Sequence, residues 1–149
     1  MKKLHLTLFI VTILTLLYSC NKEVIKADEP EPEKAIIKIP DGTYFGEFSV
    51  QYPGNISKFG NVTIVFNGAQ YKCTTGINYI PRGGSGTYTN TNDTINFIFP
   101  YAYTADFDPN LILQGKYRYT LNGNNLVLYF SNGSALYKYN VEKVAATTN

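Results

Sequence analysis

Residues 61–75 read NVTIVFNGAQYKCTT, and their meaning turns on Asn67-Gly68. Both positions tolerate positive φ, which a two-residue hairpin turn with the right twist requires. Before the turn, Val62, Ile64 and Phe66 alternate with Thr63 and Val65; after it, Tyr71, Cys73 and Thr75 alternate with Lys72 and Thr74. A period of two is the mark of a strand with one face buried. Working outward, Gly42 to Tyr52 sets Tyr44, Phe48, Val50 and Tyr52 against Thr43, Glu47, Ser49 and Gln51. On the other side, a loop with Gly83, Gly84 and Gly86 leads to a short strand at Thr87 to Thr89. The polar turn 90–93 follows, and then Thr94 to Phe99 with Ile95, Phe97 and Phe99 aligned before Pro100.

The second half uses the same grammar. Tyr101 to Asn110 reads as a loop, Leu111 to Leu121 as a strand with Tyr117, Tyr119 and Leu121 inward, and Leu126 to Phe130 as the next. Asn132-Gly133 then turns the chain into Ala135 to Val144, where Tyr137, Tyr139 and Val141 share a face. No long 3.6-residue periodicity interrupts this pattern, so the class is all-β. Eight strands joined mostly by hairpins fit an antiparallel up-and-down meander, and closing it into a barrel over residues 39–144 removes the edges that would aggregate.

An eight-stranded interior either fills with side chains or holds one small ligand. Here the inward set includes Tyr44, Phe48, Phe66 and Phe97 with Tyr71, Cys73, Tyr88, Tyr117, Tyr119, Tyr137 and Tyr139. Such volume favours a solid core. The many tyrosines carry hydroxyls that need partners, and they could equally line a mouth for an apolar or amphipathic ligand. Sugar rings are a weaker fit, since the chain has no tryptophan. Cys73 on the apolar face reads as a small hydrophobe rather than a reactive thiol.

Two loops offer a different kind of site. One carries Tyr79 and Arg82 between glycines; the other carries Tyr103, Asp106, Phe107 and Asp108. Loops on rigid scaffolds carry function, and Arg beside Tyr is a common interface anchor. Asp106 and Asp108 are too few for a calcium site and too close in sequence to face each other as glycosidase acid and base.

The start of the chain is an address. Lys2 and Lys3 precede an apolar run from Leu6 to Leu17, too short to span a bilayer, which needs about 20 residues. Removing residues 1–19 from 149 leaves 130, and taking away Lys2 and Lys3 lowers 13 basic residues to 11, against 11 acidic. The remaining chain is neutral and has no electrostatic footprint for nucleic acid. The single histidine, His5, leaves as well, so no imidazole remains for a catalytic triad or a metal. Residues 20–38 form an acidic, proline-rich tether around the run Glu29-Pro30-Glu31-Pro32-Glu33, unable to bury enough surface to fold and extended by self-repulsion. Residues 145–149 read as a disordered tail.

Leu17-Tyr18-Ser19-Cys20 resembles the lipobox of bacterial lipoproteins, which implies cleavage before Cys20 and a lipid on its sulfur. Asn21 in place of Asp implies the outer membrane, and Lys22-Glu23 is similar to a surface-export signal of Bacteroidetes. The runs Asp41 to Phe48, Leu113 to Tyr119 and Asn125 to Leu128 resemble the lipocalin-like lipoproteins of that phylum. The resemblance implies a small eight-stranded barrel behind a lipobox; Asp93-Thr94-Ile95 is likewise similar to its O-glycosylation motif. The expectation is a lipid-anchored, non-enzymatic envelope protein without cofactor or metal, its partners being the membrane and a small apolar or amphipathic molecule held in the barrel. The alternative is a protein-interaction or inhibitor module that works through its loops around a filled barrel.

Overall fold

The computed structural model describes residues 38–102 and 107–145. The leader, Cys20, the tether up to residue 37, Tyr103, Asp106 and the tail from residue 146 lie outside these. The strands are β1 (Gly42–Tyr52), β2 (Ile56–Asn67), β3 (Gln70–Cys73), β4 (Gly84–Asn90), β5 (Thr94–Ile98), β6 (Gly115–Asn122), β7 (Asn125–Ser131) and β8 (Leu136–Lys143). Each is antiparallel to its neighbours in sequence, and β8 returns to β1 with Tyr44 opposite Lys143 and Gln51 opposite Leu136. The result is a closed, up-and-down eight-stranded barrel of the lipocalin-like kind.

Closure gives every strand two partners, so the alternation in sequence becomes inside against outside all the way round. On β1, Tyr44, Phe48 and Val50 are fully buried while Phe45 and Gln51 face out. β2 and β3 do the same with Val62, Ile64, Phe66, Tyr71 and Cys73; their hairpin loop is Gly68-Ala69 rather than Asn67-Gly68, because Asn67 ends β2 opposite Gln70 and of the expected pair only Gly68 takes positive φ, 59°. The up-and-down order gathers the Gly68-Ala69, 91–93 and Gly123-Asn124 turns and both ends of the described domain at one rim. The opposite rim collects the turn at Pro53–Asn55, the long loop at 74–83, the described segments 99–102 and 107–114 of the connection between β5 and β6, and the turn at 132–135.

Each rim has a lid. At the first, Ile39 is wholly buried in the core, and Tyr44 donates its hydroxyl to the Pro40 carbonyl at 2.9 Å. At the second, the strand expected from Leu111 does not begin until Gly115. Leu111 instead ends a short 3-10 turn, Pro109–Leu111, with Ile112 and Leu113 directly after it, and all three are buried. Leu111 and Leu113 join the core from a segment laid across the barrel's end, while Ile112 between them is buried outside that cluster, beside Gly84. Backbone bonds from Arg82 N–H to the Leu111 carbonyl and from Leu113 N–H to the Gly83 carbonyl, both 2.9 Å, fix that segment to the neighbouring loop. Thr75, expected on the inward face, is exposed because β3 stops at Cys73 and the chain turns away.

Candidate functional site

All seven inward residues singled out in the sequence face the interior, each 5% exposed or less. Five of them, Tyr71, Tyr88, Tyr117, Tyr137 and Tyr139, meet in a continuous web of rings: Tyr71 on Phe97 at 4.8 Å between centroids, Phe66 on Tyr88 at 5.1 Å, Phe48 on Tyr139 at 4.6 Å, Tyr117 on Tyr139 at 5.9 Å and Tyr137 on Phe130 at 5.7 Å. Edge and tilted contacts of this kind add about 0.5–1.5 kcal/mol each beyond burial. Burial pushes the Cys73 thiol up, which keeps it protonated and unreactive.

The hydroxyls explain why these rings are tyrosine. Four of them, on Tyr44, Tyr52, Tyr71 and Tyr137, fasten the lids. Tyr71 donates to the Leu113 carbonyl at 2.6 Å and Tyr119 to the Thr91 carbonyl at 2.9 Å. Tyr137 and Tyr52 both donate to Oδ2 of Asp108, at 2.7 and 3.0 Å, while Oδ1 accepts from Asn110 N–H and from its side-chain amide. Burial alone would raise the Asp108 carboxyl, but the bonds from Tyr137, Asn110 and Tyr52 outweigh it and hold the group below the ordinary carboxylate value. Tyr52 is pushed up to about 12, by burial first and by Asp108 second. Asp108 is thus a clasp for the lid, with both oxygens engaged. The Tyr117 and Tyr139 hydroxyls differ: they lie near each other in the middle of the barrel, close enough to interact, yet neither has a partner at ordinary hydrogen-bond geometry.

The loop candidates come together at the rim away from the chain ends. The Arg82 guanidinium carbon sits 3.9 Å from the centre of the Phe107 ring and 4.9 Å from that of Tyr79, so one cation joins both long loops. The 74–83 loop is held hard against β2. A Cβ at Gly60 would lie 1.7 Å from the Ile80 carbonyl oxygen, and one at Gly76 would lie 2.0 Å from the same atom. Only two glycines let that carbonyl pass between them. Thr75 Oγ1 donates to the Arg82 carbonyl and Gly76 N–H to that of Pro81, which closes the neck of the loop. At its tip Asn78 and Tyr79 adopt φ of 54° and 58°, a left-handed conformation that costs a side-chain-bearing residue about 1–3 kcal/mol. The strain holds Ile77 and Tyr79 out in solvent, 73% and 62% exposed. Ile77 and the exposed Phe59 of β2 share a groove of about 310 Å3 with Ile80 and Glu47.

Sequence reasoning missed the clasp at Asp108 and the lid at Leu111, Ile112 and Leu113. The signal for the lid was present, since that run breaks the alternation on either side of it. Thr94 is half-buried, its hydroxyl 2.7 Å from that of Thr91.

These features define a class: a small up-and-down barrel with an aromatic core, lidded at both ends, that displays apolar and aromatic side chains on one braced rim. Comparison with family models, with curated proteins and with solved structures returns no match.

Proposed function

We propose that this chain is a lipid-anchored, non-enzymatic protein of the bacterial envelope, akin to the lipocalin-like lipoproteins of Bacteroidetes, that binds a protein partner through its loop rim. The observation that carries this reading is the 74–83 loop, where strain and two obligatory glycines are spent on presenting Ile77 and Tyr79 to water. Exposed apolar groups on a rigid mount are what a binding surface needs, because little conformational entropy is lost when they are covered. The position of the chain's entry supports it too. The chain enters the barrel at the opposite rim, at Lys38 and Ile39, so the loop rim is the end of the barrel remote from the tether. The partner's complementary surface would be apolar, seated on Ile77, Tyr79 and Phe59.

A photo-crosslinking residue placed at Ile77 in the full chain, in its own host, is expected to give a discrete adduct with one envelope protein. The same residue at Asn124, on the anchored rim, should give none. Equal adduct patterns from both positions would sink the reading. A second reading, capture of a small molecule inside the barrel, is favoured by one observation: the buried Tyr117 and Tyr139 hydroxyls without hydrogen bonds.

A further inference from the structure

The outer wall carries a second surface that neither lids nor loops use. A groove of about 840 Å3 runs from the turn before β5 across β6 to the end of β7, lined by Thr91, Asp93, Thr94, Lys116, Arg118, Tyr129 and Ser131, with Tyr117 and Phe130 at its base. Its volume lies in the range of small-molecule sites, and its lining is mixed in a specific way. Lys116 and Arg118 project outward from β6. Pairing across the wall places Arg118 between Thr94 of β5 and Tyr129 of β7, and Lys138 of β8 stands on the far side of Tyr129. Among the described residues none of these three cations has a carboxylate within ion-pair distance, although Asp93 lines the same groove.

Over the chain after residue 19 the charges cancel, but they are not evenly spread. The tether over 20–38 holds five acidic and four basic residues and is nearly balanced, so the unevenness lies within the barrel, where Lys116, Arg118 and Lys138 share one stretch of wall. An anion is therefore the complement of this face. A bare anion would leave most of the groove unused. Tyr129, 37% exposed, offers a ring on which the C–H face of a sugar can lie, flanked by two cations. The Thr91, Thr94 and Ser131 hydroxyls and the Asp93 carboxylate supply short-range partners for sugar hydroxyls. Arg118 can bind a carboxylate or sulfate in a two-pronged fashion.

The geometry points to the β5–β6–β7 wall as a binding site for an anionic oligosaccharide, gripped by Lys116 and Arg118 through its charged substituent and by Tyr129 through a ring face. The charge can come from a uronic acid or a sulfate ester, and both are tested. Titration calorimetry of the full chain in detergent would use trigalacturonate, a chondroitin sulfate tetrasaccharide and neutral galactotriose. Saturable binding of at least one charged sugar, weakened on addition of salt and absent for galactotriose, is expected. The pair Lys116→Gln and Arg118→Gln should weaken that sugar by about tenfold or more, the equivalent of one charge-assisted hydrogen bond. Lys58→Gln with Lys72→Gln, which removes the same charge elsewhere on the wall, should leave affinity within about twofold. Tyr129→Ser should weaken binding equally at low and high salt. Galactotriose binding as well as the charged sugars, equal losses from the two lysine-containing pairs, or no saturable binding of either charged sugar would each overturn the site. This outcome is independent of whether the loop rim binds a protein.

Discussion

Tyr137 and Tyr139 stand two residues apart on β8 and point the same way, yet their hydroxyls do opposite things. Tyr137 reaches the rim and donates to Asp108; Tyr139 ends in the middle of the barrel with no hydrogen bond. A buried hydroxyl without a partner costs roughly 1–3 kcal/mol of desolvation, whereas a hydrogen bond to a carboxylate stabilises by about 1.5–3 kcal/mol. The two conservative substitutions should therefore have opposite signs. Tyr137→Phe is expected to lose about 1–2 kcal/mol, and Tyr139→Phe to be neutral or to gain up to about 1 kcal/mol, read from urea midpoints at constant slope. A clear loss from Tyr139→Phe would mean that the hydroxyl is satisfied; if Tyr117→Phe did not reproduce the loss, the partner would be something held inside the barrel, as the small-molecule reading requires. That tyrosines fill the inward face was legible from alternation alone. Which hydroxyls fasten lids and which are stranded was not, because it depends on the height of each residue along the barrel axis.

At the level of elements, the two long loops behave as built parts. The 74–83 loop is pinned by the Ile80 carbonyl between Gly60 and Gly76, so adding one methyl group at either glycine must push backbone apart. Gly60→Ala or Gly76→Ala is expected to cost about 1–3 kcal/mol and to abolish crosslinking from Ile77, while leaving the far rim intact. Unchanged stability in both variants would show that the loop is not held in this way. The 107–113 lid has a chemical handle in Asp108. Its carboxyl is held low in the folded state, so the stability it contributes is present above the unfolded value near 4 and fades as pH falls through the folded one. Asp108→Asn should lose about 1–2 kcal/mol at neutral pH, and its stability should vary less below about pH 4 than that of the parent. Parallel pH profiles for the two proteins would remove Asp108 from its role as clasp. The hairpins could be read from Asn67-Gly68 and Asn132-Gly133, whose chemistry is local. The lid could not, because residues 109–113 take their shape from Gly83, Tyr52 and Tyr137, all distant in the chain.

For the whole molecule, the alternation of eight short segments determined the architecture: a closed meander leaves no other place for so many alternating apolar side chains. What composition left open was whether the barrel is hollow. The rings pack against one another from β1 round to β8, Ile39 stops one end and Leu111 to Leu113 the other, and Tyr44, Tyr52, Tyr71 and Tyr137 secure those stops. The function proposed above follows this packing: the protein would work from its outside, through a braced loop rim at the end opposite to where the chain enters. Comparing the mass of the full chain from its own host under native and denaturing conditions tests this most directly. The account predicts the same mass in both, that of residues 20–149 carrying covalently bound lipid. A reproducible extra mass of small-molecule size, present in the native spectrum and lost on denaturation, would show that the barrel carries cargo and would contradict it.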